Sequence, residues 1–128
     1  MHADESGQGT IELALVLPAL LVALVGSVQL ALVQHAGSVV HTATAEGARL
    51  AAAEGHTLLE GAERTRAVLQ AGLGQAGSGF SVRAEDRGGA VALEASGRYR
   101  LFIPWVRELH VALESRSEVL REGLRGGP

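Results

Sequence analysis

Cysteine and lysine are both missing from this 128-residue chain. Without cysteine there is no disulfide, no thiolate zinc site and no cysteine nucleophile, and the redox compartment stays open. Without lysine, all 11 basic residues are arginine, and from Arg49 onward they are interspersed with glutamate rather than clustered. A formal net charge of −3 with no basic patch gives no nucleic-acid footprint and no field suited to an acidic substrate. Aromatic residues make up only 3% of the chain. A core built after position 55 must therefore rely on Ala, Val and Leu, and it would be thin. Charge itself is missing from the whole interval between Glu12 and Glu46.

That uncharged interval begins with an apolar run over residues 13–33, interrupted only by Pro18, Gly26, Ser27 and Gln29. At roughly 1.5 Å per residue it covers about 30 Å, enough for one membrane crossing. Pro18 removes one backbone hydrogen bond and can bend the helix. An ordinary single-pass anchor is one reading. A cleaved secretory signal fits poorly, because Asp4 and Glu5 precede the run without Lys or Arg, and no clear small-x-small site follows. The same acidic leader gives no charge-based assignment of topology. Glu12 stands at the threshold of the run, where an ionised carboxylate is costly next to hydrocarbon.

Helical character continues past the run. Residues 34–53 are rich in Ala and free of Pro, with Gly37 and Gly47 each weakening the helix by about 1 kcal/mol relative to Ala. One long helix is expected from about Thr10 to about Ala53, apolar all round in its first half and amphipathic in its second. Glu54-Gly55 is a stop signal. Thr57 and Glu60 have the spacing of a capping box for a second helix. Its apolar face would carry Leu58, Leu59, Ala62, Val68, Leu69 and Leu73. Four Gly between Gly72 and Gly79 read as a flexible connection.

Alternation then replaces helical spacing. Phe80 to Glu85, a turn at Asp86-Arg87-Gly88-Gly89, and Val91, Leu93, Ala95, Gly97, Tyr99 and Leu101 on one face form a hairpin signal. Ile103-Pro104-Trp105 breaks it. A third strand over about 109–117 is expected, although the same residues could start a helix. Residues 123–128 read as a frayed tail. A sheet of two to three strands cannot stand alone and must pack on the helices. The fold class is α+β: a long membrane-spanning helix continuing into a soluble half, a short second helix and a small antiparallel sheet. The expected divisions are a short polar segment at 1–7, the long helix at 8–54, a small α+β domain at 55–122 and the tail at 123–128; the resemblance described below makes the first a leader and places the third outside the cytoplasm.

Other constellations have plain readings. The five His residues lack metal-ligand spacing, and His35 and His41, six apart, share no helix face. Gly7-x-Gly9 opens no phosphate loop, since no Lys follows. Ser115-x-Ser117, between Glu114 and Glu118, has no base beside it and reads as surface decoration. Trp105, with Ile103 and Phe102, is expected to fill the space between sheet and helix rather than to form an exposed patch. No pair of titratable groups forms a catalytic constellation, and no cofactor, small-molecule substrate, metal or catalytic residue is assigned.

The stretch Gly7-Gln8-Gly9-Thr10-Ile11-Glu12-Leu13-Ala14-Leu15 with Pro18 resembles the start of the TadE-like proteins of the Tad (Flp) pilus system, which share a type IV-like prepilin N-terminus. Ala43-Thr44-Ala45-Glu46-Gly47-Ala48-Arg49 is similar to the segment following the membrane helix in that family. The resemblance covers under half of the chain. It implies a non-enzymatic minor pseudopilin of the bacterial inner membrane. A prepilin peptidase would cleave between Gly7 and Gln8, and other pilins or pseudopilins would be partners. The small domain would lie outside the cytoplasm, and a surface pilus is one location that the resemblance allows. Glu12 would then pair with the new amine of a neighbouring subunit and set axial register, while Glu46, Gly47, Ala48 and Arg49 form the family-matching helix segment. An uncleaved single-pass protein whose small domain binds a partner is the alternative.

Overall fold

The computed structural model describes residues 2–103 and 106–121, with backbone alone for 2–8, 107 and 108. The chain is α+β, with three helices followed by three strands. Helix α1 runs His2–Ala52, so it starts upstream of the expected Thr10 and includes Pro18 in its interior. Its 51 residues make a rod about 76 Å long. The stop falls where the sequence places it: Gly55 adopts φ +82°, a left-handed conformation that suits glycine, and the chain reverses.

Helix α2, Leu58–Leu73, is capped by the Thr57 hydroxyl, which accepts from the Glu60 backbone N–H at 3.2 Å. The reciprocal half of the capping box is not made. The Glu60 carboxylate bonds His56 Nδ1 at 2.5 Å instead. Ala62 and Leu69 of the expected apolar face are buried, and Leu58, Val68 and Leu73 pack at its margin. Leu59 departs from that face and is 64% exposed.

The glycine-rich segment after α2 forms structure rather than a loose connection. It contains a short helix α3, Gln75–Ser78, in which Gly77 is buried against the Leu69 carbonyl. Strands β1 (Ser81–Asp86), β2 (Ala90–Ile103) and β3 (Val106–Leu120) follow in antiparallel order β1-β2-β3. The β1–β2 turn is fixed by Gly88, at φ +82°, whose N–H donates to Asp86 Oδ1 at 3.0 Å. β3 resolves the ambiguity over residues 109–117 in favour of strand. Pro104, Trp105 and the tail at 123–128 lie outside the described residues, so the expectations for them stand untested.

The sheet needs a cover, and α1 with α2 supplies it. Val91 and Leu93 pack with Ala48, Ala51, Ala52 and Ala62. Ala95 packs with Val40, Ala43, Leu69 and Phe80. Small side chains on α1 bring the sheet close to the helix axis. Aromatic bulk is nearly absent from this core, as the composition requires.

Candidate functional site, the exposed helix and its junction with the folded domain

Helical spacing divides α1 into two regimes. Val25, Gln29, Val33, Ala36 and Val40, three or four residues apart, are partly or fully buried and mark the face that the sheet covers, while Gly37 and Val39 beside them are partly buried as well. Before Val25, residues 9–24 are exposed all round. That exposed surface is apolar: Leu13, Leu15, Val16, Leu17, Leu20, Leu21, Val22 and Leu24 all lie on it. Among the described residues, this one helix is long and apolar enough to cross a membrane.

Glu12 sits at the start of this exposed stretch, beside Ile11 and Leu13, which are 61% and 56% exposed. Among the described residues it has no ion-pair partner. Gly7 and Gln8 lie within the backbone span of α1. Among the described residues, the side chains that follow Glu12 along the helix from Leu13 to Leu17 are apolar.

The Glu46–Arg49 segment lies at the other end, where α1 meets α2. Gly47 is buried at the closest approach of the two helices. A Cβ there would meet the Thr65 hydroxyl and lie 2.7 Å from the Gly61 carbonyl oxygen. Gly61 is its counterpart, since a Cβ there would lie 2.7 Å from the Gly47 carbonyl oxygen. Ala48 is fully buried in the core. Glu46 Oε2 accepts from Arg64 Nη2 at 2.9 Å and from Arg64 Nε at 3.2 Å, tying the helices on their solvent side. Both side chains are over one-third exposed, so this pair adds less than about 1 kcal/mol. Arg49 is exposed on the same surface, in a shallow concavity with Leu50 and Ala53. The structure therefore gives Gly47 and Ala48 a packing role, and it does not bring Glu12 near them.

Two polar contacts escaped the sequence reading. Ser115 and Ser117 are not surface decoration, because both hydroxyls lie 3.0 Å from the buried Thr44 Oγ1. Further down, the Phe102 backbone N–H donates to Gln29 Oε1 at 2.8 Å. Phe102 itself is 74% exposed, so it does not fill a core. In each case the signal available in the sequence was a polar residue on the buried helical stripe: Thr44 one turn after Val40, and Gln29 one turn after Val25. Two His residues make contacts, His56 with the Glu60 carboxylate and His41, whose Nδ1 lies 3.5 Å from Ser115 Oγ. Among the described residues no group of three His, Cys, Asp or Glu could hold a metal ion.

Comparison with protein families matches residues 7–49 to the TadE-like protein family. Comparison with curated proteins and with solved structures gives no match. The matched segment contains Gly7, Gln8 and Glu12 at its start and Glu46, Gly47, Ala48 and Arg49 at its close, with the apolar helix between them. Through that segment, the exposed apolar helix joined to its packing junction, the chain is similar to the TadE-like proteins.

Proposed function

We propose that this protein is a minor pseudopilin of Tad pilus assembly, anchored in the bacterial inner membrane by α1 with its α+β domain outside the cytoplasm. A prepilin peptidase cuts between Gly7 and Gln8. Other pilins or pseudopilins pack against the exposed part of α1, and the protein's role is structural rather than enzymatic. The observation that carries this reading is Glu12, a carboxyl side chain without an ion-pair partner among the described residues, at the start of an exposed apolar helix surface.

A lone carboxylate in a low-dielectric bundle is penalised, and an opposite charge close by favours its ionised form. Cleavage after Gly7 places a new amine on Gln8, four residues before Glu12, in every copy. When parallel helices are staggered, the carboxylate of one subunit reaches the amine of the next. The pair then fixes axial register, as a buried polar residue does in a coiled coil. Glu12 loses this role in a protein that is only an anchor.

The mature N-terminus tests the reading. When the chain is co-expressed with its cognate prepilin peptidase, mass spectrometry should give a first residue of Gln8. Gly7→Ala should abolish the shift. A chain still beginning at Met1 in the presence of active peptidase sinks the proposal and leaves the uncleaved single-pass protein in its place.

A further inference from the structure

The β2–β3 hairpin lies along α1 and points back toward the N-terminal end of the helix. Two contacts set the alignment. Thr44 meets Ser115, the register partner of Ala95, and Gln29 meets Phe102. Along the helix, Thr44 and Gln29 are about 22 Å apart at roughly 1.5 Å per residue. Along the strand, Ala95 and Phe102 are about 23 Å apart at roughly 3.3 Å per residue. The two distances agree, so strand and helix run side by side through this interval. The tip of the hairpin therefore reaches the level of Leu24, Val25 and Val28, which line one surface concavity with Gln29 and Phe102.

At that level the rest of the helix surface is still apolar. Val28, Leu30 and Leu32 are 48%, 59% and 41% exposed. On the hairpin, Phe102 is 74% exposed and Val106 is 40% exposed. Apolar surface thus lies on both helix and hairpin at one height. Arg98 and Arg100 precede Phe102 at alternate positions of β2, both exposed. The order along the strand is two cations and then an aromatic, running toward the apolar helix.

We infer that the tip of the β2–β3 hairpin is a second membrane contact: Phe102 and Val106 enter the headgroup–acyl boundary while Arg98 and Arg100 meet lipid phosphates above it. The inference rests on α1 spanning a bilayer, and not on processing or pilus assembly. A span of roughly 20 residues beginning at Leu13 ends near Leu32. That end lies about 4–5 Å above Gln29, so the tip dips into the interface. Interfacial elements bury their apolar face about 5–10 Å deep, with basic residues at the phosphate level. The occupant is therefore the lipid surface itself, continuous with the lipid around residues 13–24.

Nitroxide labels on the full chain read this directly, because no native cysteine competes. Phe102→Cys, Val22→Cys and Glu118→Cys are labelled and reconstituted in phosphatidylethanolamine–phosphatidylglycerol vesicles. Collision with oxygen is then compared with collision with a water-soluble nickel chelate. Position 102 should give an oxygen-to-nickel ratio several-fold above that of position 118 and approaching that of position 22. Equal ratios at 102 and 118 overturn the inference. So does protection at 102 from both reagents with spin–spin broadening that grows with protein density, which assigns the patch to a second copy. If position 22 also behaves like 118, the membrane reading itself fails.

Discussion

Thr44 of the long helix and Ser115 of the last strand hold their hydroxyl oxygens 3.0 Å apart across 71 positions of sequence. Ser117 makes the same approach at 3.0 Å. Thr44 also reaches the His41 carbonyl at 3.0 Å. A hydroxyl has one proton to give and two lone pairs to receive. With its proton on the His41 carbonyl, Thr44 accepts one bond from each serine and its capacity is filled. Thr44→Val keeps the shape and removes the acceptor from both serines. The expected loss is about 1–3 kcal/mol. In a domain of this size each kcal/mol lowers Tm by about 4–8 °C. Thermal unfolding of the full chain in detergent micelles, followed by circular dichroism, checks this. Thr44→Ser, which keeps the hydroxyl, should recover most of the loss. Equal Tm values for all three chains would show that the bridge between helix and sheet carries no stability.

Gly47 and Gly37 predict opposite outcomes for one chemical change. An added methyl at Gly47 meets the Thr65 hydroxyl and the Gly61 carbonyl, and the helices must part. Overpacking of this kind costs about 1–3 kcal/mol. At Gly37 a Cβ meets nothing within 4 Å. There alanine should stabilise α1 by up to about 1 kcal/mol through helix propensity. Gly47→Ala should therefore lower Tm and Gly37→Ala should hold or raise it, by the same micelle measurement. The pair separates the closeness of the α1–α2 contact from the general weakness of glycine in a helix.

Glu12→Val separates anchoring from assembly. Removing a carboxylate from the edge of an apolar span should leave membrane insertion unchanged or improved. If Glu12 pairs with a neighbouring amine as proposed, the variant leaves that amine buried without its partner, a loss of about 3–5 kcal/mol when one side of a buried pair is removed. Membrane fractionation should show the variant retained, while its co-purification with other pilins falls at least tenfold. Normal assembly of the variant would remove Glu12 from the register role.

The sequence made the two helices and the hairpin legible because each carries a local signal. Thr57 caps the helix it was expected to cap, and Val91, Leu93 and Ala95 turn the alternating face inward as their spacing requires. What stayed hidden depends on residues far apart in the chain. Four glycines look like slack until Gly77 is found beneath the Leu69 carbonyl. Ser115 and Ser117 look like surface until Thr44, on another element, is placed between them. Glu60 had a partner on offer at the Thr57 backbone, but its carboxylate bonds the His56 ring nitrogen one turn away instead. Leu59 was counted as apolar face, yet the crossing of α1 and α2 at Gly47 and Gly61 turns that side of the first turn outward. In the candidate site, Glu12 was legible from its charge alone, because an acidic group before a long apolar run is an anomaly in any context. The Gln29–Phe102 contact was not, since nothing local to either residue states how far a hairpin extends along a helix.

The side-by-side run of strand and helix is geared, because the two elements advance at different rates. One strand residue climbs about 3.3 Å, the height of about 2.2 helix residues. Those 2.2 residues sweep about 220° around the helix axis. Lengthening each strand of the hairpin by a single residue would therefore move its tip about 3.3 Å further along the same flank of α1, to a height where the helix side chain points to nearly the opposite side. The new tip would meet no side chain placed as Gln29 is. The length of the hairpin is thus pinned as tightly as its sequence, and a chain of this design can exchange side chains at the tip far more freely than it can gain or lose a residue there.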